Sequence, residues 1–218
     1  MFSRKSTTIA TILIAFMYLV FIPIVYAATE YKMSDYWPLK EGAWWEFNDG
    51  KIEITGTEEI NGINTFKSLD TGSCSEGGEL YYFNDDTNGF GAFYQDEDGS
   101  YIMVKISETY VKKGDKTKVS IKESDGFQLT LVFKLEGTAN VVVPAGKFKR
   151  CLRFSIKFEG VDTDGTYSYY TERFYLAKGV GLVKAVRIKE SANDVGCAIG
   201  PCCLDVFNGI RKLKDYSN

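Results

Sequence analysis

Strict alternation of apolar and polar residues constrains this chain more than any other feature. Phe127, Leu129, Leu131, Phe133 and Leu135 share one parity, with Gln128, Thr130 and Lys134 on the other. Leu152, Phe154, Ile156 and Phe158 alternate in the same way with Arg153, Ser155, Lys157 and Glu159. A period of two places each set on one face of a pleated strand, and almost nothing after residue 27 follows the 3.6-residue period of an amphipathic helix. These segments are therefore half-buried β-strands.

Turn-forming clusters separate the alternating runs: Asn48-Asp49-Gly50, Asn61-Gly62, Asn84 to Gly89, Asp96 to Gly99, Lys113-Gly114-Asp115, Ser124-Asp125-Gly126 and Asp162 to Gly165. Connections this short suit antiparallel strands joined in sequence and leave no room for helical crossovers. The spacing predicts a meander of roughly nine to eleven strands. A sheet of that width with one apolar face must curl to keep that face dry. The expected fold is mainly all-β, a curved antiparallel meander forming a half-barrel or open barrel. Within it, Val143-Pro144-Ala145-Gly146 reads as a corner or bulge, because proline lacks a donor and glycine tolerates positive φ.

The first 27 residues have a different character. Arg4 and Lys5 precede an apolar run from Ile9 to Val25, and Val25-Tyr26-Ala27 ends it with the small-residue pattern of a secretory signal peptide. An uncleaved single-span anchor is the competing reading, with Pro23 against it. The expected organisation is a signal peptide at 1–27, an antiparallel β domain at 28–190 and a cysteine-containing tail at 191–218. The product is exported, to a periplasm or the extracellular space, and meets a membrane only through that leader or anchor. Cleavage leaves 24 basic and 29 acidic residues. That mild acidity, without any basic run, excludes nucleic acid as the expected partner.

Three segments carry a family resemblance: Tyr36-Trp-Pro-Leu-Lys-Glu-Gly-Ala-Trp-Trp-Glu-Phe47, Val143-Pro-Ala-Gly-Lys-Phe-Lys-Arg-Cys-Leu152 and Tyr175-Leu-Ala-Lys-Gly-Val-Gly-Leu-Val-Lys184. Together they resemble a family of uncharacterised secreted bacterial β proteins, remotely similar to the half-barrels of the periplasmic lipoprotein carriers LolA and LolB. The resemblance spans residues 36 to about 188, implies a curved antiparallel sheet and implies no enzymatic activity.

The chain contains no histidine. That removes imidazole-activated nucleophiles, imidazole zinc sites and histidine proton shuttles. Its five cysteines, Cys74, Cys151, Cys197, Cys202 and Cys203, are disulfide candidates in an exported protein, and the odd count leaves at least one unpaired. The spacing allows a clip from Cys197 to Cys202 or Cys203, and Cys74 with Cys151 as a second pair. Asn84, Asp86 and Asn88 match the first half of a calcium loop, but the twelfth position is Gln95 where a bidentate Glu is needed, so a hairpin turn is favoured over a metal site. No cofactor is expected. Carboxylate pairs are too common here to identify a hydrolase, which is left as the weakest alternative.

Binding is the expected role. The apolar parity of the longest alternating runs supplies Leu129, Leu131, Phe133, Leu152, Phe154 and Ile156 as residues to hold a lipid-like group on a concave sheet, or else to form plain core. Tyrosine-rich runs such as Tyr167, Tyr169 and Tyr170 put rings on both strand faces, which gives the alternative of a cell-envelope module that docks a protein or glycan.

Overall fold

A computed structural model describes residues 28–71, 79–96, 98–122, 126–161, 165–190 and 210–217. The expected leader and the cysteines at 74, 197, 202 and 203 lie outside the described residues. Twelve antiparallel strands make one continuous sheet. Along its first half run β2 (Trp44–Phe47), β3 (Lys51–Ile60), β4 (Ile63–Asp70), β5 (Glu79–Asp85), β6 (Gly89–Gln95) and β7 (Tyr101–Ser107). The second half contains β9 (Lys116–Lys122), β10 (Gln128–Val143), β11 (Gly146–Val161), β12 (Tyr167–Ala177), β13 (Gly181–Glu190) and β14 (Ile210–Ser217). In space the order is β7-β6-β5-β4-β3-β2-β14-β13-β12-β11-β10-β9. A separate two-stranded sheet pairs β1 (Glu30–Lys32) with β8 (Tyr110–Lys112).

The sheet curls until its two edges, β7 and β9, face each other, so the curved antiparallel meander expected from sequence, a half-barrel or open barrel, is here a nearly closed barrel with an open seam. Three other expectations need correction. The strands number fourteen among the described residues, because the short β1, β2 and β8 carry too little alternation to be counted from sequence. Ile210–Ser217 is no detached tail: β14 lies inside the sheet between β13 and β2. Val143-Pro144-Ala145-Gly146 is a two-residue hairpin, since Val143 pairs directly with Gly146. The bulges that bend these 16-residue strands sit further along, between Leu135 and Gly137 and between Ala139 and Val141. By contrast, Asn61-Gly62 forms the tight turn its sequence announces, with φ of 52° and 78°.

Side chains fill the barrel. At the end closed by β1, β8 and the 3₁₀ turn Met33–Asp35, a large cluster gathers Met33, Trp37, Trp45, Phe47, Leu135, Leu152, Phe154 and Leu213. Trp37 stacks on Trp45 with ring centroids 6.1 Å apart, and Trp45 donates its indole N–H to the Val180 carbonyl at 2.5 Å. A smaller cluster, Ile60, Tyr81, Phe83 and Phe93, forms on the opposite face of β5 and β6. There the Phe83 ring crosses directly over Gly91, where a Cβ would fall 2.4 Å from Phe83 Cζ and 2.5 Å from the Val104 carbonyl oxygen. Among the described residues no helix is long and apolar enough to cross a membrane.

Candidate functional site

The barrel has one joint that is not a hydrogen-bonded ladder. Pairing runs from β7 through the sheet to β9, and among the described residues those two edges are closed by side chains, without a strand ladder. Ile121, Leu129, Leu131 and Phe133 pack there with Tyr94, Ile102, Val104, Ile106, Val119, Ile156 and Phe158. Parity explains this grouping: Leu129 faces Ile121, Leu131 faces Val119 and Phe158, and Phe133 faces Ile156, all on the inner side of their strands. Opening this seam wets apolar surface but breaks no backbone ladder. Outward lysines at Lys116, Lys118 and Lys122 guard the β9 edge against pairing with another sheet.

The six apolar residues singled out from sequence all lie on the inner face, divided between two clusters. Leu129, Leu131, Phe133 and Ile156 belong to the seam, whereas Leu152 and Phe154 belong to the core beneath the closed end. Apart from the half-buried Ile156, each is no more than 7 % exposed.

Around the same inner wall the chemistry changes from apolar to ionic. Strand register aligns Phe133 of β10, Ile156 of β11, Glu172 of β12 and Arg187 of β13 in one cross-strand row. In the next row Leu131 and Phe158 lead to Tyr170, which stacks on Phe158 at 4.2 Å and lies under the Arg187 guanidinium at 5.0 Å. Glu172 is fully buried and bonds to Arg187 at 3.4 Å. On the neighbouring strand Arg211 lies opposite Ala185, which makes Arg187 its diagonal neighbour, about 7–8 Å away by sheet geometry. Arg211 donates to Asp49 at 2.5 Å and to Asp70 at 3.3 Å, and its guanidinium covers the Phe47 ring at 4.9 Å.

These charges are held deep. Burial works against the Arg211 guanidinium, but Asp70 and Asp49 outweigh it and keep the group above its ordinary range. Burial pushes the Tyr82 phenol up to about 12, with Asp70 raising it further and Arg211 opposing. Tyr170 is likewise raised, first by burial and then by Glu172. The sequence reading missed this ionic wall, although its signal was present. Carrying the inner parity from Phe174 back through β12 reaches Glu172 and Tyr170, and carrying it along β13 from Val183 and Ala185 reaches Arg187.

Other candidates do not assemble into sites. Asn84 donates from its side chain to the Trp37 carbonyl at 3.2 Å, Asp86 pairs with Lys32 at 3.1 Å, and Asn88 bonds to Asp85. The carboxylate of Asp85 also accepts the backbone N–H groups of Thr87 and Asn88, both at 2.7 Å, so this loop is an Asx-type hairpin turn. Among the described residues no group of His, Cys, Asp and Glu is placed to hold a metal. Cys151 is a free, fully buried thiol, which corrects its place among the disulfide candidates; the other four lie outside the described residues. Burial raises its thiol to about 11.

No family model matches the chain, and no curated protein sequence matches it. Two solved structures are similar at low sequence identity. One is a candidate lipoprotein from Parabacteroides distasonis, 13 % identical with a TM-score of 0.45, covering 84 % of this chain and 98 % of its own. The other is a candidate exported protein with YmcC-like fold from Bacteroides fragilis, 11 % identical with a TM-score of 0.48, covering 84 % of this chain and 99 % of its own.

Proposed function

We propose that this protein is an exported, non-catalytic binding protein for an amphiphile. The apolar chain lies against the seam residues Leu129, Leu131, Phe133 and Ile156, displacing part of their packing, and its polar head turns towards the ionic wall where Arg187 and Arg211 pair with Glu172, Asp49 and Asp70. One observation carries the reading: the row Phe133–Ile156–Glu172–Arg187 passes from hydrocarbon to ion pair along a single inner wall. Entry through the seam breaks no strand ladder, because β7 and β9 are not paired with each other. The secretory pattern at residues 1–27 supports export.

The test is a titration of the purified protein with a dansyl-labelled undecanoic acid, alongside hydrogen exchange of the strand amides. Saturable binding is expected, weakened about tenfold or more in Arg187→Gln, with β7 and β9 amides exchanging faster than those of β11 and slowing when the probe is bound. Absence of saturable binding, with seam amides as protected as the centre of the sheet, refutes the proposal.

A second reading rests on the outer wall. Tyr167 is 46 % exposed and lies beside Tyr169 at 6.1 Å, with Lys157 over the Tyr169 ring and Glu159 accepting the Tyr167 hydroxyl. Such a ladder of rings and charges suits docking of an envelope protein or glycan. Pull-down from an envelope extract, lost in Tyr167→Ser, tests that reading.

A further inference from the structure

On the outside of the barrel, a cleft of about 410 Å³ is lined by Lys113, Gly114, Lys134, Leu135, Glu136, Arg153 and Arg173. We infer that this cleft binds a phosphate group, and that Lys113, Lys134 and Arg153 supply the positive charge facing it. The inference is independent of the lumen, because Lys134, Arg153 and Arg173 have the opposite parity to the inner residues of their strands and Lys113 lies in the turn between β8 and β9.

The cleft is built by the bulge between Leu135 and Gly137. The turn joining β8 to β9 is pinned onto that bulge by two backbone bonds, Gly114 N–H to the Leu135 carbonyl at 2.8 Å and Leu135 N–H to the Asp115 carbonyl at 3.1 Å. Lys113 is thereby laid across Gly137, where a Cβ would meet its side-chain carbons at 3.6 to 3.8 Å. Rigid strands present Lys134, Arg153 and Arg173 beside it.

Charge is unbalanced in this place. Four cations surround one carboxylate, and Glu136 is already committed: Arg173 donates to it from Nε at 2.8 Å and from Nη2 at 3.4 Å, and Arg153 Nε lies 3.0 Å away. Arg173 thus hydrogen-bonds Glu136, whereas Arg153 is held beside it by charge with its buried Nε making no hydrogen bond, which leaves the Arg153 guanidinium with donors for another acceptor. Lys134 stands directly opposite Lys116 in the β9–β10 register, a like-charge pairing that a sheet does not favour. A dianion seated among the cleft cations offsets part of the charge carried by Lys134 and matches the fork geometry of a guanidinium. Glu136 acts as the positioning residue that orients both arginines.

Phosphate chemistry has two sources here, a soluble phosphate or the headgroup of a phosphomonoester lipid. The purified protein is titrated with inorganic phosphate and pyrophosphate by calorimetry, and separately sedimented with phosphatidylcholine vesicles with or without phosphatidic acid. Saturable binding in the first arm identifies a soluble ligand; selective binding to the acidic vesicles alone identifies a headgroup; either supports the cleft. Lys134→Gln and Arg153→Gln are each expected to weaken binding about ten- to hundredfold with unchanged circular dichroism. Lys118→Gln, on the same wall but outside the cleft, is expected to change it less than threefold. Lys134 is exposed, so its variant tests the site even where Arg153→Gln disturbs the Glu136 network. No saturable binding in either arm, or equal weakening by Lys118→Gln, overturns the inference.

Discussion

Replacing Arg211 with methionine tests how the ionic wall is held. Its guanidinium serves two carboxylates at once, 2.5 Å from Asp49 and 3.3 Å from Asp70, and the Asp49 side chain is only 2 % exposed. Unit charges about 4 Å apart at an effective dielectric of 20 attract by about 4 kcal/mol, and the desolvation of all three groups offsets much of that. The asymmetric case is different. Methionine keeps an apolar side chain beside Phe47 but removes the guanidinium that pairs with the buried Asp49 and with Asp70, and breaking a buried pair in this way costs about 3–5 kcal/mol. For a chain of this size that lowers Tm by about 6–20 °C. Urea unfolding followed by tryptophan fluorescence measures it, since Trp37 and Trp45 report on the adjoining core. The triple variant with Asp49→Asn and Asp70→Asn removes the stranded charges and is expected to recover at least about half of the loss. A loss below about 1 kcal/mol for Arg211→Met, or no recovery in the triple variant, refutes the argument that these charges depend on one another.

Three further outcomes follow from buried groups. Tyr82 titrates at about 12 when folded and near 10 when unfolded, so the folded state binds the extra proton between those values and stability falls as pH rises through them. Tyr82→Phe is expected to flatten that fall by up to about 1.4 kcal/mol per pH unit in alkaline urea titrations; an unchanged slope rules out Tyr82 as its source. Gly91→Ala drives a methyl into Phe83 and the Val104 carbonyl and is expected to cost about 1–3 kcal/mol, with only partial relief from Phe83→Leu because the carbonyl cannot swing aside; full relief contradicts the backbone clash. Cys151, with its thiol at about 11, is about 0.1 % thiolate at pH 8, so iodoacetamide mapping by mass spectrometry should find it unmodified until the protein unfolds.

How much of this was readable beforehand depends on strand length. The 16-residue β10 and β11 carry enough alternation to name their inner residues correctly, and Leu129 through Phe133 fall where the pattern places them. Glu172 and Arg187 follow the same parity, yet charged residues at inner positions read as a failure of pattern when apolar residues alone are counted. The outer cleft was not legible because Lys113, Lys134, Arg153 and Arg173 meet through a bulge and a turn docking on it, and local sequence does not encode which turn docks where. Bulges also moved the bends away from Pro144, whose ring fits a two-residue hairpin as well as a corner. The strand β14 escaped notice for a related reason: its inner residues Arg211 and Leu213 mix charge with hydrocarbon.

The position of β14 bears on how the chain reaches its final shape. The strands from β7 to β2 are drawn from residues 44–107 and those from β13 to β9 from residues 116–190, so each half of the wall can form from its own neighbours. Neither half touches the other's ladder until Ile210–Ser217 slots between Trp44–Phe47 and Gly181–Glu190. Closure of the wall is therefore a late, long-range event, with a loop-closure cost deferred to the end of folding. During that interval the edges of β2 and β13 that will receive β14 stand open to the wrong partner.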